Sequence, residues 1–110
     1  MKFTKITEIL SKNVKKTVLY ESECTNTAVI NLQPGDSVPA HQHPNTDDIW
    51  VVVQGEGEFL GGKGVSLPMK AGTIIPNLKG EAHGIKNTGD EPLVVIAFSA
   101  PVPIETFPVD

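Results

Sequence analysis

The most informative absence in this chain is arginine, because its nine basic residues are all lysines. The planar guanidinium group is the usual means of holding a carboxylate or phosphate at two points. An enzyme with an arginine clamp is therefore disfavoured, and an anionic ligand has to be held by lysine, backbone or metal. The formal net charge is −4 and the lysines are scattered between acidic residues, so we predict no nucleic-acid partner.

Cysteine and long hydrophobic runs are also scarce. The single Cys24 has no partner for an internal disulfide, so stability must come from the core. Charged residues interrupt the apolar ones near the N-terminus, and the longest apolar run elsewhere, residues 93–98, is far too short to span a bilayer. We therefore predict a cytoplasmic protein with no membrane partner, in which residues 1–110 form a single domain.

Turn-forming residues recur at short intervals and separate runs of about five to eight residues, many of them rich in β-branched or aromatic side chains. This punctuation is typical of an all-β sandwich or barrel. The predicted strands are residues 17–20, 27–32, 49–53, 56–60, 73–75 and 93–98. Residues 4–12 have apolar positions at helical spacing, which leaves open a short helix or a loosely packed N-terminal segment.

All three histidines lie in two short segments of the chain. His41 and His43 are two residues apart, and residues two apart in a strand point to the same face. Such a pair brings two imidazoles within reach of one metal ion. Asp47 and Asp48 follow directly and His83 lies farther along, so three nitrogens and a carboxylate are available for a site that suits Zn, Fe, Mn or Ni.

Strand alternation predicts which side chains share the interior with the histidines. If the turn at residues 44–46 resets the alternation, an inward Asp48 carries Trp50 and Val52 to the same face. On the later strand, Ile85 shares a face with the third histidine. We therefore predict that Trp50, Val52 and Ile85 form the apolar walls of a small-molecule site around the metal.

Together these residues resemble the two sequence motifs of the cupin superfamily. The first motif is a glycine, a His-x-His pair, a glutamate and a second glycine at fixed spacing, and the second ends in a histidine followed by an asparagine. The matching positions are Gly35, His41, His43, Asp48 and Gly55 in the first motif and Gly72, Leu78, Gly80, His83 and Asn87 in the second. Two positions depart from the pattern: Asp48 replaces the glutamate, and Leu78 replaces a proline.

The resemblance implies an all-β, double-stranded β-helix (jelly-roll) cupin barrel with its metal motifs within residues 35–87. It also implies one divalent transition metal inside the barrel. The implied ligands are His41, His43, Asp48 and His83. Aspartate is shorter than glutamate by about 1.5 Å, whereas metal–oxygen distances tolerate only small deviations. Asp47, Glu81 and water therefore stay open as alternatives for the fourth ligand.

The main functional prediction is a metalloenzyme that acts on a small molecule, and two alternatives stay open: a binding module and a barrel with a vestigial metal site. A metalloenzyme would use open coordination positions to polarise a carbonyl or to activate water or dioxygen, and the cupin resemblance allows a dioxygenase, an isomerase or a decarboxylase without naming a catalytic residue. A binding module would hold a small molecule without turnover. A barrel with a vestigial site would explain the departures at Asp48 and Leu78. The resemblance and the apolar tail at residues 101–108 further predict a homodimer.

Overall fold

A computed structural model describes residues 3–110, in which ten strands form two five-stranded antiparallel sheets beside one short helix. The elements are α1 (Ile6–Leu10), β1 (Lys16–Glu21), β2 (Asn26–Leu32), β3 (Ser37–Gln42), β4 (Asp47–Gln54), β5 (Glu56–Gly62), β6 (Val65–Lys70), β7 (Ile74–Asn77), β8 (His83–Lys86), β9 (Leu93–Ala100) and β10 (Phe107–Pro108). The first sheet has the order β1-β2-β9-β4-β7 and the second the order β10-β3-β8-β5-β6. The all-β prediction is confirmed, and residues 1 and 2 of the predicted domain lie outside the described residues.

A buried cluster of apolar side chains joins the two sheets, and we call it the core cluster. Its members are Leu32, Trp50, Val52, Met69, Ile85, Leu93, Val95 and Ala97. Met69 and Ile85 come from the second sheet and the others from the first. Alternate residues of β4 are buried, namely Asp48, Trp50 and Val52, as the predicted strand alternation requires. Burial of each large apolar side chain contributes roughly 1.5–3 kcal/mol.

Part of the outer face of the first sheet is covered by α1. Ile9 packs there against Val29, Val94 and Ile96 in a second buried cluster. Strand β9 is consequently buried at five consecutive positions, residues 93–97, because its alternate side chains enter two different clusters. A strand buried on both faces reads as a continuous apolar run instead of an alternating one.

The structure differs from the sequence-based expectation in a few elements. Of the two alternatives left open for residues 4–12, the short helix is the one present, and it spans Ile6–Leu10. Strand β6 lies outside the predicted strands because Pro68 interrupts it, and β6 is an edge strand, where proline leaves no ladder hydrogen bond unmade. Within residues 3–110, no helix is both long and apolar enough to cross a membrane.

Candidate metal centre

A bulge in β3 directly precedes His41, whereas His43 lies one residue beyond the end of this strand. Strand β3 pairs with β8 through Val38 opposite Ile85 and His41 opposite His83, so three steps along β3 match two along β8. The extra residue, within residues 39–40, shifts the side-chain alternation. His41 therefore faces the same side as Val38, although the two are an odd number of residues apart.

Gly84 lets β8 approach β3 closely beside His83. A Cβ atom at this position would lie 2.7 Å from the carbonyl oxygen of Val38 and 2.8 Å from the backbone nitrogen of Ala40. A side chain does not fit between backbones at this separation. The glycine therefore sets the distance between the two strands that carry His41 and His83.

Each histidine ring is oriented by a hydrogen bond from its Nδ1–H to a backbone carbonyl. A carbonyl oxygen can only accept, so Nδ1 carries the proton in the neutral ring and Nε2 presents a lone pair. The bonds join His41 to Pro39 (2.9 Å), His83 to Glu81 (3.0 Å) and His43 to Glu105 (2.9 Å). Histidines that bind metals are usually oriented in this way, with the second ring nitrogen donating to a carbonyl or carboxylate.

The three rings and one carboxylate form a tight group, which we call the site cluster (His41, His43, Asp48 and His83). One ring nitrogen from each histidine lies within 4.8 Å of the other two. Asp48 Oδ2 is 3.6 Å from His43 Nε2 and 3.3 Å from His83 Nε2, and the latter nitrogen is buried without a hydrogen-bond partner. The carboxylate and the Nε2 atoms all present lone pairs, so they repel each other unless a proton or a cation lies between them. The donor set fits a divalent cation.

The acidic side chains near the site cluster have different partners. Asp48 Oδ1 accepts a hydrogen bond of 3.1 Å from the hydroxyl of Ser99, which leaves Oδ2 facing the imidazoles. Asp47 accepts from the backbone nitrogen of Lys79 at 3.0 Å. The exposed Glu81 accepts from the backbone nitrogen of Leu78 at 2.8 Å, within its own turn. Of these three acids, Asp48 is the one whose free oxygen points at the histidines.

The protonation states of two members of the site cluster also suit metal binding. Burial raises the pKa of Asp48, but a proton on the facing His83 imidazole and the hydroxyl of Ser99 lower this pKa by more, so the carboxyl titrates below its usual range. Burial lowers the pKa of His41, and the hydrogen bond to the Pro39 carbonyl opposes this change without reversing it. Near neutral pH the carboxylate is thus charged and this imidazole neutral, which are the forms that bind cations.

A cavity of about 720 Å³ lies beside the site cluster. Its wall includes His41, His43, Asp48 and Trp50. The Trp50 ring also belongs to the core cluster and meets the His83 ring edge-on, with centroids 5.2 Å apart. The other two predicted wall residues, Val52 and Ile85, are buried in the core cluster and do not line this cavity.

Two lysines that the sequence reasoning missed, Lys15 and Lys16, line the cavity as well. Lys15 Nζ donates to the carbonyl oxygen of Ser37 at 2.9 Å, and Lys16 pairs with Ile30 in the β1–β2 ladder. Both precede the first motif by many residues, and no local pattern marks them; the topology alone brings them to the cavity. Among the described residues that line it, Asp48 is the only acid.

Comparison with known proteins identifies a family and several relatives. The family described as Cupin domain matches residues 28–99, which include both motifs. An oxalate-binding protein of Thermotoga maritima is 39% identical over 70 residues, which cover 64% of this chain and 57% of that protein. Auxin-binding protein 1 of Arabidopsis thaliana is 32% identical over 82 residues, which cover 67% of this chain and 41% of that protein. The chain therefore spans about half the length of the curated relatives it matches.

Solved structures resemble the whole chain or its barrel. An uncharacterised conserved protein with a double-stranded β-helix domain from Klebsiella pneumoniae is 27% identical with a TM-score of 0.88, and the match covers 100% of this chain and 98% of that one. A predicted oxalate decarboxylase from Thermotoga maritima is 34% identical with a TM-score of 0.66, and the match covers 73% of this chain and 69% of that one. The fold is thus the double-stranded β-helix that the two motifs predict.

Proposed function

The chain belongs to the cupin family, and we propose that it binds one divalent transition metal in the site cluster and, through that metal, a small carboxylate in the adjoining cavity. The observation that carries the metal proposal is the set of Nδ1 hydrogen bonds to three carbonyls. These bonds leave three Nε2 lone pairs, and Zn, Fe, Mn and Ni all accept such nitrogen ligands. A bound cation would supply Lewis acidity and open coordination positions.

We propose Asp48 as the fourth ligand. Its Oδ2 lies close to two Nε2 atoms, while Ser99 holds its other oxygen. The alternatives Asp47 and Glu81 are engaged by backbone nitrogens of the 78–79 turn. The two departures from the cupin motifs therefore do not by themselves require a vestigial site.

The charges around the cavity support an anionic ligand. A divalent cation and one carboxylate leave the centre with a net positive charge, and Lys15 and Lys16 add two more positive charges to the cavity wall. The Thermotoga maritima matches carry the names oxalate-binding protein and predicted oxalate decarboxylase. A small carboxylate such as oxalate can occupy open coordination positions while lysine compensates its remaining charge. Trp50 contributes the apolar wall.

Binding without turnover is the function that the geometry supports best. Proton transfer in catalysis needs a positioned acid or base beside the reacting group. Among the described residues that line the cavity, we assign the one carboxylate, Asp48, to the metal and the two lysines, Lys15 and Lys16, to the charge of the anion. A decarboxylase is the second candidate, because a structure with that predicted activity is 34% identical.

The proposed function is tested by calorimetric titration of oxalate into metal-loaded and metal-free protein, with manganese and zinc as the loading metals. We expect saturable heat in the loaded protein alone. Equal heats in both preparations, or none in either, would contradict metal-dependent binding. Incubation of the loaded protein with labelled oxalate separates the two candidates, because release of labelled carbon dioxide would establish turnover and its absence alongside binding would support the binding module.

We also propose a homodimer that forms through the exposed apolar part of the first sheet. Phe98 and Ile74 lie on the face away from the core cluster and are 44% and 67% exposed. Exposed apolar surface of this kind often marks an interface between proteins. Sedimentation of the wild type and of Phe98→Lys tests the proposal, since we expect a dimer in the first and a monomer in the second; a monomeric wild type would contradict it.

A further inference from the structure

The last ten residues, 101–110, lie across β3 and beside the site cluster, and we call them the C-terminal strap. Within the strap, β10 pairs with β3 at His41 and the residue after it. The backbone nitrogen of Val109 donates to the carbonyl of Ala40 at 3.0 Å. The hydroxyl of Thr46, which is 1% exposed, donates to the carbonyl of Pro101 at 2.8 Å. The strap is therefore fastened on both sides of the segment that carries the first two histidines.

The strap also provides the partner of one histidine ring. His41 and His83 each donate to a carbonyl two residues earlier, so their own segments orient them. The Nδ1 of His43 has no such local partner and instead lies 2.9 Å from the carbonyl oxygen of Glu105, 62 residues away. The hydroxyl oxygen of Thr106 lies 3.2 Å from the same nitrogen. Both hydrogen-bond partners of His43 Nδ1 therefore come from the strap.

The same segment forms part of the cavity wall. Ile104, Thr106 and Pro108 line the cavity, with one residue between each pair, as expected for an extended chain that turns alternate side chains inward. The side chain of Asn45 donates to the carboxylate of Glu105 at 2.9 Å, which holds one of the intervening residues against the turn before β4. The strap thus orients a proposed metal-binding ring and also borders the cavity proposed for the small molecule. It therefore connects the metal centre to the cavity.

We propose that the C-terminal strap is a positioning element of the metal centre, in which the Glu105 carbonyl and the Thr106 hydroxyl orient His43 toward the cation. The inference rests on the proposed metal site but not on the identity of the ligand. When the strap opens, His43 loses the acceptors that hold its ring and its tautomer, so the affinity for metal falls. Linkage is reciprocal, so bound metal must hold the strap closed by the same factor.

The direct test compares Thr106→Val with wild-type protein in Co²⁺ titrations followed by visible absorption. Valine keeps the shape of threonine and removes the hydroxyl, and Thr106 is exposed, so the variant leaves no buried cavity. We expect its Co²⁺ affinity to fall by about tenfold, the lower end of the effect of losing a partner of a metal ligand. Thr7→Val in α1, which is also exposed, is the matched control and should keep the wild-type affinity.

A second measurement needs no variant. Hydrogen exchange of the Val109 amide, which the strap donates to Ala40, should slow on Co²⁺ binding by at least about tenfold. The reference is the amide of Ala71, which lies between β6 and β7 and donates to the carbonyl of Gly55. Its exchange rate should not change on Co²⁺ binding. A positioning role also requires that melting temperatures of Thr106→Val and wild type agree without metal and diverge with it.

The outcomes separate the strap from the metal site. Three results would each overturn the strap proposal while leaving the metal site intact. They are a wild-type Co²⁺ affinity in Thr106→Val, a loss of stability in this variant that is equal with and without metal, and a Val109 amide whose exchange rate does not change on Co²⁺ binding. A wild-type protein that binds no Co²⁺ would overturn the proposed function and the strap proposal together.

Discussion

Strands β4 and β8 each pass through two clusters of opposite character. Strand β4 contributes Asp48 to the site cluster and Val52 to the core cluster, and β8 likewise contributes His83 and Ile85. The core cluster and three members of the site cluster are buried, with His41 half-buried, but the core cluster contains apolar contacts that stabilise the fold without any ligand. In the site cluster the buried groups are polar and present lone pairs to one another. The same two strands thus contribute to a core that is stable without a ligand and to a polar centre that a cation would complete.

The largest expected effect separates the two clusters on one strand. His83→Ala removes a proposed ligand, so we expect metal affinity to fall by more than about 100-fold, beyond the effect of losing an indirect contact. Ile85→Val on the same strand should instead lower the free energy of unfolding by about 0.5–1.5 kcal/mol and leave metal affinity unchanged. Elemental analysis after dialysis against a range of metal concentrations measures metal binding, and denaturant unfolding measures the free energy of unfolding. If both variants lowered the metal content equally, the proposal that only the site cluster binds metal would be contradicted.

The next largest effect is on metal affinity and concerns Asp48, near the start of β4. Asp48→Ala should weaken metal affinity by about 10-fold or more, whereas Asp47→Ala should not, because the Asp47 carboxylate contacts the backbone of Lys79. Asp48→Glu restores the side-chain length of the cupin motif and should keep or increase affinity. Competition with a chromogenic chelator provides the affinities. Small and equal effects from all three variants would mean that water or another residue fills the fourth position.

The pH dependence of the metal-free protein is a smaller effect that also distinguishes the clusters. The folded-state pKa of His41 is lowered, so the unfolded chain binds a proton first as pH falls through about 6.5. Folding stability therefore declines below that pH, and the lowered pKa of Asp48 adds stability that is lost only at more acidic pH. Between about pH 7.5 and about pH 5.5 the wild-type melting temperature should fall more than that of His41→Gln. An equal fall of the melting temperature in both proteins would exclude His41 as a source of the pH dependence.

The smallest effect belongs to the lysines of the cavity wall. Lys15→Gln and Lys16→Gln should each weaken oxalate binding to the loaded protein by up to about fivefold, because exposed charges contribute roughly 0–1 kcal/mol. Metal affinity should not fall, since neither lysine belongs to the site cluster. Lys79→Gln, outside the cavity, is the control. Calorimetry with oxalate measures these affinities, and Lys15→Gln and Lys16→Gln proteins that bind oxalate as tightly as the wild type would contradict an anionic ligand held by lysine.

The sequence predicts a large part of this picture because its signals are local. The alternation from Asp48 to Trp50 follows from strand geometry. His43 lies one residue beyond β3, but the motif match extends over both histidine segments. The all-β class follows from the regular turns, and the family and the double-stranded β-helix are confirmed. The predicted roles of individual site residues stay predictions until metal is measured.

What the sequence does not predict depends on contacts between distant segments. The bulge at residues 39–40 appears only when β3 is paired with β8. Lys15 reaches the cavity through sheet pairing, and Glu105 contacts His43 across 62 residues through a main-chain carbonyl that any residue type supplies. Val52 and Ile85 have the predicted inward parity, but parity alone does not say whether an inward side chain meets a cavity or the core cluster.

The most direct test of the metal centre is a long-range ¹H–¹⁵N spectrum of the zinc-loaded protein, which reports the protonation of both ring nitrogens in all three histidines. We predict that His41, His43 and His83 each keep a proton on Nδ1 and that each Nε2 resonance moves on zinc binding. A histidine with its proton on Nε2, or with an Nε2 resonance that zinc leaves unchanged, would contradict the proposed metal centre.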